Sequence, residues 1–256
     1  MTASVRVLEH HLLVYRRTWR GGLFSTFLAP VLFLLAMGLG LGTFVDQSDP
    51  AALNGVSYLA FLAPGLLAAQ AMQTAVGEAM YPLMAGIVWL RTFHAMVATP
   101  VRPLDVVVGQ MFWFAVRLTL VATAFVIVMI LFGAADIVGG LAMIPVAVLT
   151  GLAFAAPVAA WTATRRTDSS FPVINRFIIT PLFIFSGTFF PISQLPDFLE
   201  WIAYLTPLWH GVALARQLAL GQVDQPLALL NIAVLVAYIA VGVVVAVRTF
   251  GRRLVQ

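Results

Sequence analysis

Six stretches of the chain contain no Asp, Glu, Lys or Arg: residues 21–45, 50–77, 118–135, 137–164, 177–196 and 225–247. One hydrocarbon crossing needs about 20 apolar residues, and a soluble domain with roughly 25% charged residues does not leave runs of this length unbroken. Here 62% of residues are hydrophobic, 9% are charged and the mean hydropathy is +1.01, so the chain reads as a membrane protein. We expect an all-α polytopic membrane protein with six transmembrane helices, at about 22–44, 55–77 or longer, 105–132, 140–161, 172–190 and 227–248. They form a single transmembrane domain over 1–256, with no soluble domain. The first run exceeds the roughly 7–15 apolar residues of a signal peptide core, so it reads as an uncleaved first helix.

Arginine placement sets the expected orientation. There is no Lys, and all 14 basic residues are Arg. With the N-terminus inside, Arg6, Arg16, Arg17, Arg20, Arg91, Arg102, Arg165, Arg166, Arg176, Arg248, Arg252 and Arg253 fall on or near the cytoplasmic side. Arg216 alone lies outside and Arg117 lies within the third span. By the positive-inside rule both termini are then cytoplasmic. Residues 4–20 carry a helical pattern, with Val5, Leu8, Leu12, Tyr15 and Trp19 on one stripe and Arg6, His10, Arg17 and Arg20 opposite. That pattern predicts an N-terminal interfacial helix whose Arg16, Arg17 and Arg20 face lipid phosphate and whose Trp19 sits in the interface.

The missing residue types exclude several chemistries. Without Cys there are no disulfides, thiolate metal sites or Cys nucleophiles. Without Lys there is no Walker A loop, whose Lys reaches the nucleotide phosphates, so this chain does not hydrolyse ATP by that mechanism. His10, His11, His94 and His210 are scattered over different segments and predict no metal site.

Three groups of polar residues stand out. Arg117 lies about 12 residues into a helix starting at Asp105, roughly 18 Å along it and close to mid-membrane. A charge at that depth needs a partner or water. Glu78 lies 13 residues before Arg91, so on adjacent antiparallel helices it would be level with Arg117. Alternatively span two ends near Gly77, Glu78 is interfacial and Arg117 faces a wet cavity. Next, Arg91–Thr99 mixes apolar Phe93, Ala95 and Met96 with Arg91, Thr92, His94 and Thr99 and is closed by Pro100. It suits a short surface helix, either a plain connector or a docking element for a soluble partner. Finally, the stretch from Pro191 to Arg216 is too apolar for a solvated loop and is broken by Pro191, Pro196 and Pro207. It predicts short re-entrant helices before the last span, carrying Gln194, His210 and Arg216, or alternatively a small amphipathic extracellular cap.

Five segments, "SYLAFLAPGLLAAQAM", "HAMVATPVRPLDVVVGQMFW", "LTGLAFAA", "FSGTFFPISQLP" and "TPLWHGVALARQLALG", resemble in order and spacing the membrane subunits of type-2 ABC exporters. The likeness is greatest to the branch of nodulation-factor and daunorubicin-resistance permeases and runs from about Gly38 to Gly221. The resemblance implies a cytoplasmic coupling helix at Arg91–Thr99 that meets a separate ATPase, with two ATPase copies serving two permease copies in a bacterial plasma membrane. ATP and magnesium would then be bound by the partner, and this chain would carry no cofactor and catalyse nothing itself. The residues after Glu78, "AMYPLMAGIVWLRTF", depart from the nodulation pattern, so the framework carries over and the substrate does not. The expected function is export of an amphipathic drug, lipid or glycolipid along spans one, two and five, past Gly38, Gly40, Gly42, Phe183, Phe185, Phe189 and Phe190. The alternative is an ion- or proton-coupled carrier using Glu78 and Arg117, although the inverted repeats common in carriers are not visible.

Overall fold

The computed structural model describes residues 3–44 and 56–255, with the side chains of residues 20, 22–26, 29 and 39 left out. The acidic loop around Asp46 and Asp49, the expected start of span two at Gly55 and the side chain of Arg20 therefore lie outside the described residues. Everything regular among those residues is helical: α1 (Ala3–Phe33), α2 (Tyr58–Met84), α3 (Thr92–Val97), α4 (Pro103–Leu131), α5 (Ile137–Thr162), α6 (Phe171–Ile174), α7 (Thr180–Phe185), α8 (Asp197–Leu205), α9 (Pro207–Ala219) and α10 (Gln225–Leu254). Three π-helical segments, Leu34–Leu41, Ala85–Trp89 and Asn175–Ile179, extend α1, extend α2 and join α6 to α7.

Local chemistry explains the boundaries. Ser57 Oγ accepts from Ala60 N at the start of α2 (3.3 Å), and Asp136 Oδ1 accepts from Gly139 N at the start of α5 (3.2 Å). Asp224 Oδ1 accepts from Leu227 N at the start of α10 (3.4 Å). Pro103 opens α4, where Asp105 reaches back to accept from Arg102 N at 3.1 Å. Such side chains satisfy amide groups that a helix leaves unpaired at its start.

Among the described residues, four helices are long and apolar enough to cross a membrane: Tyr58–Trp89, Pro103–Leu131, Ile137–Thr162 and Gln225–Leu254. The fifth expected span is shorter than its charge-free run. Phe171–Phe185 is 15 residues of apolar helix, about 22 Å at 1.5 Å per residue, and stops well short of residue 190. Gly187 turns the chain there with φ +80°, a conformation that costs a glycine little. The N-terminal expectation changes as well. No break separates an interfacial helix from a first span, because helical backbone runs on from Ala3 through the π-helical segment to Phe44 and covers the expected first span at 22–44.

The first four turns of α1 stand alongside the first four turns of α4, running the same way. Ser4 Oγ donates to Asp105 Oδ1 (3.1 Å), Val7 fits against Gly109, His11 stacks on Trp113 and Tyr15 lies against Arg117. A Cβ on Gly109 would come within 2.6 Å of Val7 Cβ, so glycine is what lets the helices close up. The buried stripe of α1 is thus Ser4 and Val7, continued by half-buried Leu8, His11 and Tyr15. The expected apolar stripe shares Leu8 and Tyr15 with it, while Leu12 and Trp19 are 40% and 39% exposed.

At the centre stands α2, with Leu62, Ala63, Ala68, Ala69, Met72, Ala79, Met80 and Leu83 fully buried. Small residues of α5 (Ala155, Ala159, Ala160) pack in this core, and Gly242 of α10 closes on Pro157 and Ala156 so tightly that a Cβ would lie 2.7 Å from each. Lipid tails are as apolar as the protein, so association rests on this kind of close fit.

Candidate functional site

The segment Arg91–Thr99 forms α3 and its two joints. Leu90 N donates to Ala85 O five residues back (2.8 Å), and Arg91 then takes left-handed backbone angles, φ 53° and ψ 26°. A side chain in that region costs of order 1 kcal/mol. Six helical residues follow, closed by Ala98 N to His94 O (3.0 Å) and by Thr99 Oγ1, which donates to Met96 O (2.6 Å). Arg91, Ala95 and Thr99 point outward; Thr92, His94 and Met96 are half-buried. Phe93 turns inward and is 2% exposed, its ring over Gly86, whose missing side chain makes the room. Phe93 thus differs from the expectation that it faces a partner: helical spacing sets it on the face opposite Ala95.

Beside α3 opens a cleft of about 740 Å³. Arg6 and His10 of α1 line one wall, Thr92, Ala95 and Met96 the other, and Thr99–Val101 the end. This contribution of α1 was not foreseen, because its N-terminal turns were assigned to the lipid interface.

One turn deeper along α1 is a second polar group. Arg117 Nε donates to Glu78 Oε1 at 2.9 Å, joining α4 to α2, and the two side chains are 16% and 18% exposed. The Arg117 guanidinium lies 4.9 Å from the Tyr15 ring centroid. His11, Tyr15, Thr18, Pro82 and Trp113 complete a cavity of about 320 Å³ around the pair. His11 Nε2 is buried and has no hydrogen-bond partner among the described residues. A polar cavity of this volume has room for water.

On the far side of the molecule, the stretch from Pro191 to Arg216 is pinned from within. Pro191 and Gln194 close a short 3-10 turn (Gln194 N to Pro191 O, 3.1 Å), and Pro196 starts α8. Thr206 Oγ1 accepts from Trp209 N at 3.4 Å and caps α9 just before buried Pro207. The Tyr204 carbonyl lies 3.0 Å from His210 Nε2, and Asn231 Oδ1 lies 2.8 Å from Nδ1, so both ring nitrogens are held.

Arg216, on α9, is held from several sides. Its Nε donates to Phe61 O (3.2 Å), its Nη2 donates to Gly187 O (3.0 Å), and its guanidinium stacks 3.7 Å from the Phe61 ring centroid. Burial lowers its pKa to about 10, which leaves it charged at neutral pH. Sequence gave no signal for this, because the acceptors are backbone carbonyls 155 and 29 residues away.

The remaining site residues divide. Arg16, Arg17 and Trp19 are exposed along α1. Gly38 and Gly42 face Leu59 and Tyr58 of α2, so they serve helix contact. Phe183 and Phe189 pack on each other at 5.1 Å, Phe190 is half-buried and Phe185 is 38% exposed.

The comparisons with known proteins agree with one another. Residues 5–220 match the family described as ABC-2 type transporter. Nodulation protein J of Rhizobium leguminosarum bv. viciae is 36% identical over 252 residues, covering 98% of this chain and 94% of that protein. Nodulation protein J of Rhizobium meliloti (strain 1021) is 31% identical over 217 residues, 85% and 81% of the two chains. The inner membrane transport permease YadH of Escherichia coli (strain K12) is 21% identical over 213 residues, 83% and 81%. A family match across most of the length, with relatives above 30% identity, shows that this all-helical membrane chain belongs to the ABC-2 type transporter family of permeases.

Proposed function

We propose that this chain is the membrane half of an ATP-driven exporter in a bacterial plasma membrane, moving an amphipathic drug, lipid or glycolipid outward. Two copies, or one copy and a similar permease, form the pathway. Two copies of a separate ABC ATPase supply the energy and carry ATP and magnesium. Both termini and α3 face the cytosol, and the α8–α9 segment covers the external end. The 30 Å of hydrocarbon then spans roughly the last 20 residues of α4 and sets the Glu78–Arg117 pair in the cytoplasmic third of the membrane, shallower than the residue count from Asp105 suggested.

The observation that carries the reading is the form of α3. It is a short helix set between two long apolar helices, with Arg91, Ala95 and Thr99 outward beside an open cleft. A small rigid helix with one face anchored and one face free is suited to seat in a groove of a soluble partner. The name of one relative, inner membrane transport permease YadH, supports a transport role.

The test is reconstitution with an ABC ATPase, sought first in the reading frames beside the gene. The tagged chain is expected to retain that subunit through size exclusion, and Ala95→Asp together with Thr99→Asp to release it. Movement of a fluorescent amphiphile across liposomes by the purified chain alone would overturn the proposal, as would transport driven by a proton gradient without ATP.

A further inference from the structure

We infer that a ladder of side chains, Phe93, His11, Trp113, Tyr15 and Arg117, ties α3 to the Glu78–Arg117 pair, so that displacement of α3 is delivered to that pair. This rests on the docking role proposed for α3, and it makes Phe93 a positioning residue instead of a partner contact.

The backbone route from α3 into α2 is soft. It consists of a π-helical segment, Ala85–Trp89, followed by one residue in left-handed geometry, Arg91. A single π-turn breaks the regular i to i−4 pairing, and such turns recur at functional positions. The side-chain route is stiff. The Phe93 ring is edge-on to His11 at 6.3 Å, and His11 stacks on Trp113 at 5.4 Å with 16° between the planes. Trp113 meets Tyr15 edge-on at 5.6 Å, the Tyr15 ring lies under Arg117 at 4.9 Å, and Arg117 bonds Glu78 at 2.9 Å. Every ring pair falls within the roughly 4.5–7 Å of packed aromatics, and the last contact but one is a cation over a ring face.

The ladder alternates between elements. It leaves α3, enters α1, crosses to α4, returns to α1 and ends on the ion pair that joins α4 to α2. A push on α3 therefore moves α1 along α4, shifts the Tyr15 ring beneath the guanidinium and alters the geometry of the bond between α4 and α2. Phe93 also lies 6.3 Å from Phe250 of α10, which holds the ladder's first rung from the other side.

Coupling along a chain of contacts is established by non-additivity, since distant independent sites contribute additively. The experiment uses the permease and its ABC ATPase together in nanodiscs, with Phe93→Ala, Arg117→Gln and the double variant, and reads permease-stimulated ATP hydrolysis and ATPase retention. Each single change is expected to lower stimulation about fivefold or more with the ATPase still bound, and the double variant to be no worse than the more severe single. A double variant equal to the product of the two singles would overturn the ladder, as would loss of the ATPase on Phe93→Ala. Should Phe93→Ala fail to insert, Gly86→Ala takes its place, because its Cβ would meet the Phe93 ring at 2.6 Å and displace it without removing it. Ala95→Asp judges docking separately: if it leaves ATPase retention intact, the docking role falls, whereas an additive cycle beside a released ATPase sinks the ladder alone.

Discussion

Replacing Arg216 by Ala should destabilise this chain more than replacing Arg117 by Ala, although residue counting alone ranks the two the other way. Arg216 makes two charge-assisted hydrogen bonds to carbonyls, at 3.2 and 3.0 Å, and stacks on Phe61 at 3.7 Å. Each such bond is worth about 1.5–3 kcal/mol and a desolvated stacking contact about 0.5–2 kcal/mol. Relief of the cost of burying a cation offsets part of this, leaving a net loss of about 2–4 kcal/mol. Arg117 makes one ion-pair bond and one ring contact beside a cavity open enough to hold water, so Glu78 is left solvated and the loss is about 1–2 kcal/mol. For a chain of this length these values convert to drops in Tm of about 5–10 °C and about 2–5 °C. Fluorescence-detected size exclusion after a heating series in detergent measures both. An Arg117→Ala variant that melts below Arg216→Ala would refute the reasoning, since it would mean that the cavity is dry and Arg216 dispensable.

Further expectations concern other contacts. Gly242→Val should abolish well-behaved insertion, because a side chain there meets Pro157 and Ala156 of a facing helix at 2.7 Å; monodispersity on size exclusion checks it. His210→Ala and Asn231→Ala should each cost about 1–3 kcal/mol and the double variant little more, measured as a thermal double-mutant cycle. Asp136→Ala should lower stability by about 1 kcal/mol through loss of the cap on α5, and Asp136→Ser should restore most of it. Gly109→Leu should separate α1 from α4, read as faster proteolysis of the N-terminal turns, since its side chain would overlap Val7 and the Ser4 carbonyl.

Sequence exposed what is periodic or local. The starts of α4, α5 and α10 lie within three residues of the expected ends because Pro103, Asp136 and Asp224 mark them chemically. Glu78 and Arg117 were placed level by counting from the loop between them, and they are 2.9 Å apart. What stayed hidden depends on which element lies opposite. Phe93 and Ala95 share one amphipathic pattern, and nothing local says which of them meets Gly86 and which meets solvent. The face of α1 that closes on α4 stayed unread because Gly109, 102 residues from Val7, decides it. Arg216 and His210 take backbone carbonyls as partners, and every residue has one, so no motif records the choice. Span five was overrun because Ser186–Phe190 is as apolar as a helix while its backbone turns at Gly187.

The apolar helical piece Phe171–Phe185 reaches only about 22 Å, while the charge-free part of α10, residues 225–247, reaches about 34 Å. A bilayer must match both heights around one protomer, so its acyl chains compress beside the short piece and stretch, or the long helix tilts, elsewhere. The membrane is thereby thinnest along the flank of α6 and α7, and an amphiphile crossing there has the least hydrocarbon to traverse.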